Sequence, residues 1–421
     1  MAVRNSSTAA CTTRTTRREF LASAAAATAA SSLSAVLPVG CAQPKASLAA
    51  KAAAPTLNDV SGPRSLRAHA AAKGLLIGCA VNPARLDGEP DYARTVADQA
   101  SILVAENAMK WAALRPSPTQ FDFRKADDIV VFALSREQKV RGHNLCWHEA
   151  LPAWFASTVT KDNAEQFLTQ HILTVAGRYA GKLHSWDVVN EAIDLKSGRP
   201  DGLRDSPWLE LIGPTYLEIA FRTARQADSK ALLTYNDYGI ELDTPEQIDK
   251  RGQVMMLVRR LIARGVPIDA VGIQSHIAAG DTPGPGLIHF VRELAAMRLQ
   301  VFITEMDVND RKLPEAVPER DAAVAATYRD YLTPLLAQPN LTALLTWGIT
   351  DRYTWLNPQL NSLPHAARPD GKPERPLPFD YDYNPKRAFF AERDAIGTRR
   401  TGPQPGSNPY APFNPTQPPQ S

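Results

Sequence analysis

The sequence predicts an α/β protein built as a (β/α)8 TIM barrel in a single domain. Three observations carry that prediction. Between positions 57 and 400, eight short apolar runs alternate with longer amphipathic ones, the signature of parallel βα units. That body is long enough for one closed barrel, which typically takes about 250 residues or more with insertions. Finally, polar residues gather where the short runs stop, at what would be one common end of a parallel barrel.

The short runs, read as strands, cover residues 75–80, 102–105, 140–147, 184–189, 231–235, 270–276, 301–304 and 341–347. Helical stretches with apolar residues at three and four spacing cover 126–136, 164–179, 208–227, 245–264, 287–297 and 320–336. An open doubly wound sheet would carry a Gly-rich phosphate loop after an early strand. Here Gly78-Cys79-Ala80 runs on into Val81-Asn82-Pro83 with no such loop, which also removes dinucleotide chemistry from consideration.

The strand exits form a set. The fourth run, His184 to Val189, breaks into Asn190-Glu191, and the seventh ends Thr304-Glu305-Met306-Asp307. The second is followed by Glu106-Asn107-Ala108-Met109-Lys110-Trp111, and the third carries His143, Trp147 and His148. The fifth ends Tyr235-Asn236-Asp237-Tyr238, the sixth Gln274-Ser275-His276, and the eighth is followed by Trp347, Asp351 and Trp355. In a parallel barrel these groups converge on one face. Two converging glutamates, Glu191 and Glu305, are the minimum apparatus for glycoside hydrolysis. Amide, imidazole and ammonium groups suit sugar hydroxyls, and indole faces suit sugar C–H groups.

The formal charge of +3 comes from the leader. Residues 1–42 hold Arg4, Arg14, Arg17 and Arg18 against Glu19 alone, which leaves the rest of the chain balanced. A neutral body offers no electrostatic footprint for nucleic acid and suits an uncharged polymer. Of four cysteines, Cys11 and Cys41 lie in the leader, while Cys79 and Cys146 fall in strand-like runs and read as buried free thiols. No Cys or His spacing suggests a metal site.

Residues 1–42 read as a twin-arginine-type signal peptide. Arg17-Arg18-Glu19-Phe20-Leu21 precedes a short Ala/Ser-rich apolar run, too short and too interrupted to span a membrane. Leu37-Pro38-Val39-Gly40-Cys41 is a poor lipoprotein cleavage box, so soluble export to the periplasm or the extracellular space is expected over a lipid anchor. Residues 43–56 read as an Ala-rich linker and 401–421 as a Pro-rich disordered tail, with no second folded module.

At the strand exits the chain closely resembles glycoside hydrolase family 10, the retaining endo-β-1,4-xylanases. Trp-Asp-Val-Val-Asn-Glu-Ala at 186–192, Ile-Thr-Glu-Met-Asp at 303–307 and Glu-Asn-Ala-Met-Lys-Trp at 106–111 carry the resemblance, which covers about residues 70–395. It implies that Glu191 is the acid/base and Glu305 the nucleophile, that Asn190 holds the 2-hydroxyl of the sugar under attack, and that His276 contacts Glu305 and is oriented by Asp307. It further implies that His143, Lys110, Asn107, Glu106 and Gln274 line the glycone subsites, with Trp111, Trp147, Trp347 and Trp355 as aromatic walls. Tyr235 belongs with this substrate-binding group. No cofactor and no metal are expected. The expected substrate is xylan or xylo-oligosaccharide, turned over by a monomer.

Three positions depart from the family pattern. Glu149-Ala150-Leu151-Pro152 stands where Ser-Gln-Leu-Pro is usual, Ala112 replaces an acid, and Gly239 replaces Asn. The missing glutamine at 150 implies room for a hexose, hence a broader β-1,4-glycanase or an oligosaccharide-preferring glycosidase as the alternative activity. A binding protein that had lost turnover would be expected to lack one of the two glutamates.

Overall fold

The computed structural model describes residues 59–357 and 367–400. The expected leader, linker and tail lie outside the described residues.

Nine strands follow in chain order: β1 (Leu76–Val81), β2 (Ile102–Ala105), β3 (Lys139–Cys146), β4 (Ser185–Asn190), β5 (Leu232–Asp237), β6 (Ala270–Ile273), β7 (His276–Ala278), β8 (Gln300–Asn309) and β9 (Leu341–Thr346). Consecutive strands pair in parallel from β1 to β6, β6 pairs with β8, β8 with β9, and β9 returns to β1. The sheet therefore closes on eight staves, with β7 as a short continuation of β6 along β8. This is the (β/α)8 barrel expected from the alternation.

Side-chain alternation makes two cores. Ile102 and Val104 point into the barrel with Ala80, Leu232, Ala270, Phe302, Ala343 and Leu345. Leu103 and Ala105, one residue out of phase, join the shell between strands and helices. Cys79 and Cys146 are buried free thiols, as expected.

Three boundaries differ from the sequence reading. The stretch expected as one helix over 208–227 is two, Pro207–Ile212 and Tyr216–Ala227. Gly213 takes φ 84° between them and Pro214 follows, and a residue before proline is pushed out of the α region. The expected strand over 270–276 breaks at Ser275, whose φ is 65°. The expected strand over 301–304 instead runs on to Asn309. Of the eight α-helices of ten residues or more among the described residues, two were not apparent from periodicity, Pro90–Gln99 and Arg387–Thr398. Among the described residues, no helix is long and apolar enough to cross a membrane.

Candidate active site

The site lies at the C-terminal ends of the strands, and local irregularities aim its side chains. In β8, Ile303 faces Leu344 and Met306 faces Thr346, so β8 carries one extra residue there. That bulge lets Glu305 and Asp307 join the inward face that Phe302 opens, three residues earlier. Matching register shifts occur in β3 between His143 and Cys146 and in β4 between Asp187 and Val189.

Glu191 follows β4 with φ 57°, a left-handed conformation that costs a side-chain-bearing residue about 1–3 kcal/mol. Its carboxylate accepts from Trp147 Nε1 at 2.9 Å, Gln274 Nε2 at 2.9 Å and Asn190 Nδ2 at 3.0 Å. Burial pushes this carboxyl above its ordinary value against the Gln274 and Trp147 donors, and the Asp237 and Glu305 charges push the same way.

Glu305 is also buried, and its environment does the opposite. Asn236 Nδ2 donates to Oε1 at 2.8 Å, and His276 Nε2 lies 3.3 Å from Oε2. Burial works against the ionised form, yet the His276 hydrogen bond, with help from His143 and Asn236, holds the carboxyl down at about 2. His276 Nδ1 sits 3.0 Å from Asp307 Oδ2, and Trp355 Nε1 donates to that same oxygen at 2.6 Å. Burial disfavours a charged imidazole, but Asp307 and then Glu305 outweigh it and keep His276 protonated, its pKa well above the usual range.

One amide links the two carboxyls. Asn236 Nδ2 bonds Asn190 Oδ1 at 2.8 Å as well as Glu305, and Asn190 in turn bonds Glu191. Thr304 Oγ1 donates to Asn236 Oδ1 at 2.8 Å and fixes the amide's orientation. Gly272 makes the space for it, since a Cβ there would stand 2.2 Å from Asn236 Oδ1.

Around this pair the remaining groups assemble. His143 Nδ1 lies 2.8 Å from Asp187, which also takes a buried ion pair from Arg141. The His143 ring meets Trp347 edge-on at 5.4 Å. Lys110 Nζ donates to Asn107 Oδ1 at 2.9 Å and stands 5.0 Å over the Trp147 ring. Glu106 lines a cleft with Trp347, Trp355, Asn82 and Arg85. Burial raises its carboxyl in spite of Lys110.

Two expected substrate contacts are corrected. Trp111 is 1% exposed, donates Nε1 to the Leu145 carbonyl at 2.7 Å and stacks on His171 at 3.7 Å, so it is a core side chain and not a wall of the site. Tyr235 is fully buried with its hydroxyl on Asp237, out of reach of a ligand. Asn236, its neighbour, is the member of that quartet that bonds Glu305. Sequence reasoning flagged the quartet, but the register shift between β4 and β5 decides which member faces Glu305.

The departures are placed as well. Ala150 is half-buried with φ 52°, and its carbonyl accepts from Ala112 N at 2.8 Å, so two of the three meet. Gly239 has φ 67°, which favours glycine over asparagine. Among the described residues, no group of three or more His, Cys, Asp or Glu side chains is arranged to hold a metal ion.

A closed parallel barrel whose rim sets a carboxyl raised by burial against one held low by an imidazole, ringed by indole, imidazole and amide groups, has the build of a barrel glycosidase. The model of glycosyl hydrolase family 10 matches residues 65–395, and the chain belongs to that family. Endo-1,4-beta-xylanase B of Paenibacillus barcinonensis is 33% identical over 341 residues, spanning 76% of this chain and 95% of that protein. The thermostable celloxylanase of Thermoclostridium stercorarium is 34% identical over 340 residues, spanning 75% and 83%. Among solved structures, native xylanase 10B from Thermotoga maritima superposes with a TM-score of 0.71 at 32% identity, covering 79% of this chain and 98% of that one.

Proposed function

We propose that this protein is a retaining endo-1,4-β-xylanase in which Glu305 is the nucleophile and Glu191 the acid/base. The observation that carries the reading is a pair of buried carboxyls joined through Asn190 and Asn236, one pushed up by burial and the other held down by His276. Glu305, held ionised by His276, attacks the anomeric carbon while Glu191 gives its proton to the departing glycosidic oxygen. The glycosyl ester that forms carries no charge on Glu305. One of the influences raising Glu191 is then gone, its pKa falls, and it accepts the proton of the incoming water. Asn190 holds the 2-hydroxyl, and Trp147, Trp347 and Trp355 flank the bound sugars.

Product analysis after incubation with β-1,4-xylohexaose, with Glu305→Ala as control, tests the reading. Internal cleavage with the β-anomer formed first is expected, and α-anomer first or exo-only release would refute it. A second reading, a broader β-1,4-glycanase, is favoured by the small side chain at Ala150 beside Trp147 and His148. Comparable cleavage of cellohexaose would establish it, and Ala150→Gln would then restore xylose preference. The protein acts as a monomer and is exported by the twin-arginine signal at 1–42. Light scattering tests the first statement, and fractionation after Arg17→Lys with Arg18→Lys tests the second.

A further inference from the structure

Arg204 lies on the loop that leaves Glu191, and its guanidinium is mostly buried. Its Nε donates to the Glu191 carbonyl at 2.8 Å, one terminal nitrogen pairs with Asp194 at 3.0 Å and the other donates to the Tyr238 hydroxyl at 2.9 Å. Its own backbone N–H donates to the Ala192 carbonyl at 2.7 Å. The loop doubles back to allow this, through the antiparallel bridge of Ile193 with Leu203 and the Asp194 N to Gly202 O bond of 2.9 Å.

Glu191 is held from its other side by its N–H on the Asn236 carbonyl at 2.8 Å. Both peptide groups flanking its left-handed Cα are therefore pinned, one by β5 and one by Arg204. A strained conformation persists only where its surroundings over-determine it. With the carbonyl freed, relaxation at Glu191 would swing the carboxyl off Trp147 Nε1 and Gln274 Nε2. Lysine cannot substitute, because a single ammonium does not reach three acceptors set at guanidinium angles.

We propose that Arg204 is a positioning residue for proton transfer: by clamping the Glu191 carbonyl it locks the backbone turn that aims the Glu191 carboxyl at the leaving oxygen. The proposal rests on Glu191 being the acid/base. A loop tie alone would affect all substrates alike, whereas a misaimed acid harms only substrates whose leaving group needs a proton.

The experiment compares kcat/KM for β-1,4-xylohexaose and for 2,4-dinitrophenyl β-xylobioside in Arg204→Met, Arg204→Lys and Glu191→Ala. General acid assistance is worth about 10²–10⁴-fold, so Arg204→Met is expected to lose about 10²-fold on the hexaose and under about 3-fold on the dinitrophenyl substrate. Arg204→Lys, the milder change should the methionine variant not fold, is expected to show the same asymmetry. Its alkaline limb for the hexaose should also be displaced. Equal losses on both substrates, or none on the hexaose, would overturn the proposal. If Glu191→Ala itself lacked the asymmetry, the acid assignment would fall and the proposal with it. Asymmetry in Glu191→Ala without any in the Arg204 variants would refute the role of Arg204 alone.

Discussion

Replacing Asp307 by asparagine removes the charge that keeps His276 protonated, and the effect on Glu305 can be worked from the structure. The Glu305 carboxyl sits at about 2 in place of 4.5, and at about 1.4 kcal/mol per pH unit that gap is about 3 kcal/mol of preference for the ionised form. Burial opposes ionisation, and the His276 hydrogen bond is the largest influence favouring it. His276 in turn owes its charge first to Asp307. In Asp307→Asn the imidazole is expected to be neutral at pH 6, and Glu305 to titrate at or above 4.5. The assay is the pH profile of kcat/KM for xylohexaose, whose acid limb reports the free enzyme's nucleophile. The limb should move upward by about two pH units or more, into a range where it is easily measured. Linkage gives a second readout. Because the folded carboxyl is depressed, it contributes stability that is present above 4.5 and lost as the pH falls through about 2. Above pH 5 the variant should therefore be less stable than the parent, and the difference should shrink as the pH falls toward 2. An acid limb left in place would refute the chain of argument from Asp307 through His276 to Glu305.

Trp147→Phe removes a donor that favours ionised Glu191, so the alkaline limb of kcat/KM should move up; a limb that stays or falls would contradict that role. Gly272→Ala places a methyl 2.2 Å from Asn236 Oδ1 and should cost about 5- to 150-fold in kcat with the barrel's circular dichroism retained, since about 1–3 kcal/mol of overpacking falls on the amide between the two carboxyls. Glu392 is buried with Oε2 unpartnered among the described residues, and burial lifts its carboxyl to about 8. Its folded pKa lies above 4.5, so stability is full below that pH and drains as the pH rises toward 8. Glu392→Gln should therefore gain on the parent in urea denaturation across this interval, by up to about 5 kcal/mol; a constant difference would refute it.

The barrel was legible because buried parallel strands write themselves as short apolar runs, and seven of the eight staves need only their ends adjusted. The two glutamates were legible for the same reason, each standing where apolar sequence turns polar. What a run of letters does not show is which way a side chain points. Trp111 and Tyr235 stand at strand exits like Trp147 and Asn236, yet the first two turn into the core. The bulges in β4 and β8 that bring Asn236 and Glu305 together leave no compositional trace, because an extra residue in a strand reads as one more letter. The break at Ser275 is of the same kind: it ends β6 early and turns Gln274 onto Glu191. Gly213-Pro214, by contrast, is a visible helix break that periodicity alone overrode.

The seam at which β9 pairs with β1 joins residues far apart in the order of synthesis. Leu76 lies opposite Ala343, and Arg399 reaches back to the Lys73 carbonyl. Until the last stave has left the ribosome, any sheet that the growing chain forms must stay open, with two bare edges of unsatisfied amides and carbonyls. Such edges invite pairing with other chains. Closure therefore waits for the final sixth of the described chain, which alone can make the sheet a ring with no edge to offer.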